Sequence, residues 1–280
     1  MNIYIIGEIG INANGDLKQA HDLIKMAKQC GADAVKFQKR DIETVYTPEY
    51  LALPRESPWG STQRDQKAGL EFSETDYRKI DAFCKYEGIE WSASAWDYES
   101  VCMLEMLNVP WHKVASPMLT NRLFLEQVAQ HQKLTFISTG MSTWNDVDDA
   151  VAIFNYHKCP FVLMHCVSMY PCPESACNIR VLDEMKARYP GVALGYSGHE
   201  VGILPSILAV ASGATVIERH ITLDRAMYGS DQAASLEKRG LELLVKYCRD
   251  VHEALGDGVK RILDEEMENA KKLRYWRHDG

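Results

Sequence analysis

Short apolar runs and amphipathic stretches alternate along this chain from one end to the other. Eight runs read as buried strands: 3–7, 34–38, 90–95, 111–116, 134–139, 161–166, 192–197 and 215–221. Brief runs bounded by turn residues mark strands covered on both faces. Between them lie stretches of helical spacing at 17–30, 74–87, 98–107, 122–131, 143–156, 179–189 and 202–212, with a last one at about 235–255. Ser73-Glu74-Thr75-Asp76 and Ser142-Thr143-Trp144-Asn145-Asp146 offer N-caps and first-turn acids, and Gly31 and Gly88 offer helix ends. Eight strand-then-helix units predict a single-domain α/β protein, a (β/α)8 TIM barrel spanning residues 1–280. The other architecture, an open doubly wound sheet, lacks its G-x-G-x-x-G fingerprint after the first run. One connection breaks the rhythm. Residues 39–72 join the second strand to its helix, far more than a usual βα loop, and the strand-to-helix side of a barrel is the catalytic side.

Polar residues collect where the strands end, and in a barrel those ends converge on one pocket. In order they are Glu8, Asn12 and Asn14; Lys36 and Gln38; Ser94 and Asp97; Lys113 and Ser116; Ser138 and Thr139; His165, Ser168 and Tyr170; Ser197 and His199; Glu218 and His220. Any one of them has a plain structural role. Polar groups at every strand end exceed what stability needs, and a buried lysine is rare without a partner. Lys36 and Lys113 therefore suit a ligand bearing phosphate or carboxylate. Hydroxyls of Ser94, Ser138 and Ser197 would add hydrogen bonds to it. Ser138-Thr139-Gly140-Met141, ahead of a helix, offers backbone N–H groups suited to an anion. His199 and His220 end neighbouring strands. With a carboxylate such as Glu8 or Asp231 they would make a site for a divalent cation of the Mn2+ or Mg2+ class, able to polarise a carbonyl.

Composition narrows the classes. A net charge of -8 argues against a general nucleic-acid binder, which needs a basic surface. No apolar stretch is long enough to span a bilayer, and the first residues run into a strand without a signal-peptide pattern. The eight cysteines form no C-x-x-C pair and several lie in apolar runs, as buried free thiols do. A reduced, cytoplasmic protein is the expectation.

The ordered motifs resemble one family: the sialic acid synthases, the N-acetylneuraminate synthase group of phosphoenolpyruvate-condensing enzymes. They begin with Gly7-Glu8-Ile9-Gly10-Ile11-Asn12-Ala13-Asn14-Gly15 and Val35-Lys36-Phe37-Gln38. His112-Lys113-Val114-Ala115-Ser116, Ser138-Thr139-Gly140-Met141 and His165-Cys166 with Tyr170-Pro171 follow. Gly195-Tyr196-Ser197-Gly198-His199, Glu218-Arg219-His220 and Gly229-Ser230-Asp231 complete the series. The resemblance implies a metal-dependent synthase that joins phosphoenolpyruvate to an amino-sugar aldose of N-acetylmannosamine type, giving a nonulosonic 2-keto-3-deoxy acid and phosphate. It implies that Lys36, Ser94, Lys113, Ser138 and Ser197 hold phosphoenolpyruvate. His199 and His220 would bind the metal, and the catalytic residues Glu8, Gln38, Tyr170 and Asp231 would surround the metal-bound water and the open-chain acceptor. It implies a homo-oligomer. The readings beside it are an aldol-type lyase of a sugar acid and a non-catalytic phosphometabolite-binding protein.

The sequence departs from the family at Ala13, where His is usual, and at Gly198, where Asp is usual. Ala115-Ser116-Pro117-Met118 lacks the usual acid, and Ser230 stands for proline. The family's C-terminal antifreeze-like domain, which supplies an acceptor-binding arginine, is expected to be absent from a chain ending at Gly280. The segment 39–72 is then the expected lid. Its Arg55 or Arg64 would replace that arginine, and Trp59 and Tyr50 would stack on the sugar.

Overall fold

The computed structural model describes residues 3–276. Within them the predicted runs become β1 Tyr4–Gly10, β2 Ala34–Lys39, β3 Glu90–Ala95, β4 His112–Val114, β5 Thr135–Ser138, β6 Phe161–Cys166, β7 Ala193–Gly198 and β8 Val216–His220. They pair in parallel in chain order, and β8 returns to β1, closing the barrel. Each strand is followed on the outside by its helix: α1 Leu17–Gln29, α2 Glu74–Glu87, α3 Tyr98–Met106, α4 Arg122–Gln130, α5 Trp144–Tyr156, α6 Val181–Arg188, α7 Leu204–Ala211 and α8 Lys238–Leu255. The expected (β/α)8 barrel is the fold. A further helix, Asp264–Leu273, follows α8. None of the helices among the described residues is long and apolar enough to cross a membrane. All eight cysteines are free thiols.

Local chemistry starts and stops the helices. Asp16 caps α1 and Asp97 caps α3, while Ser73 with Asp76 and Thr143 with Asp146 form reciprocal capping boxes on α2 and α5. Gly88 ends α2 in the left-handed region at φ 66°.

Strand alternation then sorts the side chains into layers. Outward-facing Ile5, Val35, Phe37, Ile137, Leu163, Leu194 and Ile217 join the large core beneath the helices. Inward-facing Ile6, Ala34, Trp111, Phe136, Met164 and Val216 form a separate plug inside the barrel. Two residues further along the same strands, the next inward positions are Glu8, Lys36, Lys113, Ser138, Cys166 and Glu218, and these line a cavity. The apolar layer thus ends where the polar layer begins, one strand repeat later.

Two strand ends differ from expectation. β1 runs on to Gly10, past a register shift between Glu8 and Gly10. Gly10 sits at φ +54°, and a Cβ there would meet a Glu8 carboxylate oxygen at 2.9 Å. β4 stops at Val114, and Ser116–Met118 forms a 3-10 turn around Pro117, which has no N–H to continue the ladder.

The segment 39–72 is folded rather than an open loop. It holds short helices Ile42–Val45, Pro48–Leu51 and Gln63–Leu70 and a hairpin, Pro54–Ser57 with Gly60–Thr62. The Asp97 carboxylate at the end of β3 accepts the Asp41 N–H at 2.7 Å and ties the segment to the barrel mouth. Gln63–Leu70 comes so close to the β1–α1 turn that a Cβ on Gly15 would meet the Gly69 carbonyl oxygen at 2.1 Å.

Candidate active site at the mouth of the barrel

The cavity holds about 340 Å3 and opens at the C-terminal ends of the strands. Every residue expected to act in catalysis, to hold phosphoenolpyruvate or to bind the metal lines it. Glu8, Gln38, Tyr170 and Asp231 are there, with Lys36, Ser94, Lys113, Ser138 and Ser197, and with His199 and His220.

The floor is a charged layer fixed by strand register. Glu8 lies beside Lys36 on β2 and beside His220 on β8, and Ser94 lies beside Lys113. Lys36 and Lys113 are each 3 % exposed. The Lys36 ammonium donates to Ser94 Oγ at 2.6 Å and pairs with Glu8 Oε2 at 2.8 Å, with Glu218 Oε1 at 3.8 Å. The Lys113 ammonium donates to Ser138 Oγ at 2.5 Å and to the Val114 carbonyl at 3.0 Å. Ser197 Oγ donates to Glu218 Oε1 at 3.1 Å. The two lysines are therefore answered by two carboxylates, Glu8 and Glu218.

Protonation follows from that balance. Burial works against the Lys36 charge, but Glu218 and Glu8 outweigh it and raise its pKa. Burial dominates at Lys113 and lowers its pKa, with Glu218 offsetting part of the effect. For Glu218 the desolvation of burial is overcome by Lys36 and Lys113, which hold the carboxylate below its usual range. Glu8 is pushed up to about 7 by burial, against the pull of Lys36 and with the field of Glu218 adding to the rise.

His199 and His220 stand on one wall with ring centroids 5.5 Å apart, and the Tyr170 ring lies 4.1 Å from His199. His199 Nδ1 lies 2.7 Å from the Val167 carbonyl, which only accepts, so Nδ1 carries the proton and Nε2 keeps a lone pair. His220 Nδ1 is buried without a hydrogen-bond partner, 3.7 Å from Asp231 Oδ2. Burial keeps both rings neutral, lowering His220 and bringing His199 to about 4. Two neutral imidazoles, one with its tautomer set by a carbonyl and one with an orphaned nitrogen, fit a divalent cation. The expected carboxylate ligand is not assembled. Among the described residues no three His, Cys, Asp or Glu side chains gather as a metal-holding group, and Glu8 is engaged by Lys36 and Gln38.

Behind that wall lies a buried ion pair. Arg219 precedes His220, Glu200 follows His199, and both are 0 % exposed. Arg219 Nη1 donates to Glu200 Oε1 at 2.7 Å, and Ser206 and Tyr196 donate to the same carboxylate at 2.7 and 3.0 Å. A Cβ on Gly198 would meet Glu200 Oε2 at 2.4 Å and Arg219 Cδ at 2.9 Å, so this pairing excludes an aspartate there.

The mouth is lined by Ser230 and by residues that the sequence did not single out: Arg40, Tyr46, Lys67 and Trp96. Arg55, Arg64, Trp59 and Tyr50 do not line the cavity. Arg55 is exposed, Arg64 pairs with Glu43 on the surface, and Tyr50 stacks on Tyr46 at 5.2 Å. Trp59 lies over Gly69, where a Cβ would meet it at 2.2 Å, and packs edge-on against Tyr228. Their positions away from the cavity follow from the folding of 39–72 on itself.

Some strand-end residues prove structural. Asn12 Nδ2 donates to the Ile221 carbonyl and Ser235 Oγ, and His165 Nε2 meets the Cys177 carbonyl at 2.8 Å. The Gly140 N–H, expected to face an anion, donates instead to Ser116 Oγ at 3.1 Å. Glu218 had a legible sign: it lies two residues before His220 on one strand, so both face inward while Arg219 faces out.

The NeuB family profile matches residues 23–260 of this chain. The chain belongs to the NeuB family. The human N-acetylneuraminate-9-phosphate synthase is 41% identical over 272 residues, covering 96% of this chain and 76% of the relative. The N,N'-diacetyllegionaminic acid synthase of Legionella pneumophila is 36% identical over 277 residues, covering 95% and 77%. In structure, N-acetylneuraminic acid (sialic acid) synthetase from Leptospira borgpetersenii, crystallised with citrate, superposes with a TM-score of 0.87 at 31% identity, covering 98% of this chain and 93% of that one. This NeuB-family protein is an enzyme, a synthase of the sialic acid synthase type.

Proposed function

We propose that the enzyme condenses phosphoenolpyruvate with the aldehyde of an N-acetylmannosamine-like aldose, giving a nonulosonic 2-keto-3-deoxy acid and phosphate. The observation behind this reading is the floor of the cavity: two ammonium groups, each 3 % exposed, beside three serine hydroxyls and two neutral imidazoles. Lys36, Lys113, Ser94, Ser138 and Ser197 hold the phosphate and carboxylate of phosphoenolpyruvate. The incoming anion competes with Glu8 and Glu218 for the lysines, and Glu8, near 7, takes up a proton as it enters.

His199 and His220 would hold a divalent cation, which when bound supplies Lewis-acid polarisation of the acceptor carbonyl. Gln38, Tyr170 and Asp231 flank the open-chain acceptor. C3 of phosphoenolpyruvate forms a bond to the aldehyde carbon, and the aldehyde oxygen takes a proton. Water then adds to C2 and loses a proton. The bond between C2 and the bridging oxygen of the phosphate then breaks; the phosphate leaves with the proton of the new C2 hydroxyl, and C2 becomes the ketone. A carboxyl poised near 7 suits both proton steps, so Glu8 gives one proton and accepts the other.

The free thiols fit a reducing, cytoplasmic setting, and the enzyme works as a homo-oligomer in this reading. The test is phosphate release from phosphoenolpyruvate with a panel of aldoses and a divalent cation. Release that depends on an N-acylated mannosamine supports the reading. Consumption of the sugar acid without phosphoenolpyruvate would make it a lyase, and no turnover of either would leave a binding protein.

A further inference from the structure

Two thiols take no part in the condensation and lie against the histidine wall. Cys172 and Cys177 are 3 % and 1 % exposed, and their sulfurs are 3.8 Å apart. Both thiols also face the Pro173 carbonyl, each at 3.6 Å. They flank the 3-10 turn Glu174–Ala176, in the connection between β6 and α6. Pro171, Pro173, Glu174 and Ser175 are exposed, so a single turn of chain separates the two sulfurs from solvent.

The pair is joined to the site through the backbone. The Cys172 N–H donates to the His199 carbonyl at 2.9 Å. Tyr170, two residues before Cys172, lines the cavity with its ring 4.1 Å from that of His199. The Cys177 carbonyl meets His165 Nε2 at 2.8 Å. Pro171 and Pro173 fix φ on either side of Cys172, so the chain there has little freedom to absorb a shift. A disulfide would close the 3.8 Å gap between the sulfurs to about 2.0 Å, and the strain falls on the segment that carries Tyr170 and holds His199.

We propose that Cys172 and Cys177 are a reversible disulfide site, closed by a peroxide and reopened by a dithiol, whose closure displaces Tyr170 and His199 and turns the enzyme off. The peroxide oxidises one thiol to a sulfenic acid and releases water. The second sulfur attacks the sulfenyl sulfur, and the hydroxyl leaves with the second thiol's proton as another water. Two thiols thus lose two electrons and two protons, and the peroxide becomes two waters. A dithiol reverses the step by exchange and is itself oxidised to a disulfide. Burial and the contact with Cys177 push the Cys172 thiol up to about 12, so little of it ionises near neutral pH and closure answers sustained peroxide rather than traces. The effect on turnover rests on the condensation proposed above; the crosslink itself does not.

The experiment treats the full chain with hydrogen peroxide, removes the oxidant, and then adds dithiothreitol, beside Cys172→Ala and Cys177→Ala. Cleavage after Lys158, Glu174 and Arg180 puts the two cysteines on separate peptides. Mass spectrometry should find those peptides joined after peroxide, two hydrogens lighter than their sum, separate again after dithiothreitol, and never joined in either variant. Phosphate release from phosphoenolpyruvate should fall about 100-fold on oxidation, the scale of a misplaced catalytic group, and return with dithiothreitol. Mn2+ titrated calorimetrically into the oxidised chain should bind about tenfold more weakly, as when a metal ligand loses its support. Both variants should keep turnover and Mn2+ affinity through peroxide. Peptides that never join, a crosslink that leaves Mn2+ affinity and turnover unchanged, or a peroxide loss that both variants share overturns the proposal. A reduced chain that releases no phosphate marks failure of the condensation instead, and the joined peptides with weakened Mn2+ binding then still support the switch.

Discussion

On the floor of the cavity, Glu8, Lys36 and Glu218 stand on the adjacent strands β1, β2 and β8 and Lys113 on β4, all buried, with two positive charges answered by two negative ones. At the mouth, Arg40 and Lys67 come from a folded excursion between β2 and α2, Lys67 is half-buried, and the cations outnumber the carboxylates that reach them. The difference follows from solvation. A charge with no water around it is tolerated only when paired, so the floor must come nearly neutral before any ligand arrives. Arg40 is buried and keeps Glu71 as its partner, whereas Lys67, in contact with solvent, is screened and can stand without a carboxylate. In the proposed reading the floor serves the part of the chemistry common to all substrates, and the mouth is left to distinguish between acceptors.

The comparison breaks most visibly if the floor is unbalanced. Lys36→Met leaves Glu8 and Glu218 facing each other without their shared cation, and removing one partner of a buried pair costs about 3–5 kcal/mol. Urea unfolding should show that loss above pH 7, and calorimetry should show phosphoenolpyruvate binding weakened about 100-fold or more, from lost charge-assisted contacts. A variant as stable and as tight as the parent would mean the floor is not the charged unit described.

The histidine wall comes next. His199→Ala or His220→Ala, or dialysis against a chelator, should reduce turnover by about 1,000-fold while the unfolding midpoint moves little, as expected when a Lewis acid is lost from an intact fold. Added Mn2+ should restore the chelated wild type and not the variants. Full activity after chelation removes the metal from the reading.

Glu200→Gln tests what holds that wall in place. It leaves Arg219 buried with no charged partner, which should cost about 3 kcal/mol in unfolding and loosen cation binding measured directly by titration. Lost stability with unchanged cation affinity would make the pair a structural element only.

The smallest effect is a proton. The Glu8 carboxyl sits near 7 in the folded chain and ordinarily lies near 4.5, so it binds a proton in the folded state across that interval and its ionisation costs stability as pH rises through it. Entry of an anion raises it further. Calorimetry at pH 7.5 in two buffers of different ionisation enthalpy should record net proton uptake, up to one per site, when phosphoenolpyruvate binds, and Glu8→Gln should abolish it. Equal heats in both buffers would place the carboxyl elsewhere on the pH scale.

The periodicity of apolar runs determined the eight strands, their helices and the barrel, because each unit is written in local alternation and closed by local caps such as Ser73 with Asp76. The same alternation put Lys36, Lys113, Ser138, Ser197, His199 and His220 at strand ends, and closure of a parallel barrel brings all strand ends together. Tertiary structure alone decided which of those ends are chemical. Asn12 and His165 spend their hydrogen bonds on backbone carbonyls, and Gly140 gives its N–H to Ser116, contacts between segments far apart in the chain. It also decided the mouth. Arg40, Arg55, Arg64 and Lys67 lie within 28 residues of one another with nothing in their spacing to rank them. Only the folding of that excursion against the barrel turns Arg40 and Lys67 inward, gives Arg64 to Glu43 and leaves Arg55 in water, because a loop side chain takes its direction from what its backbone packs on and not from a repeating register.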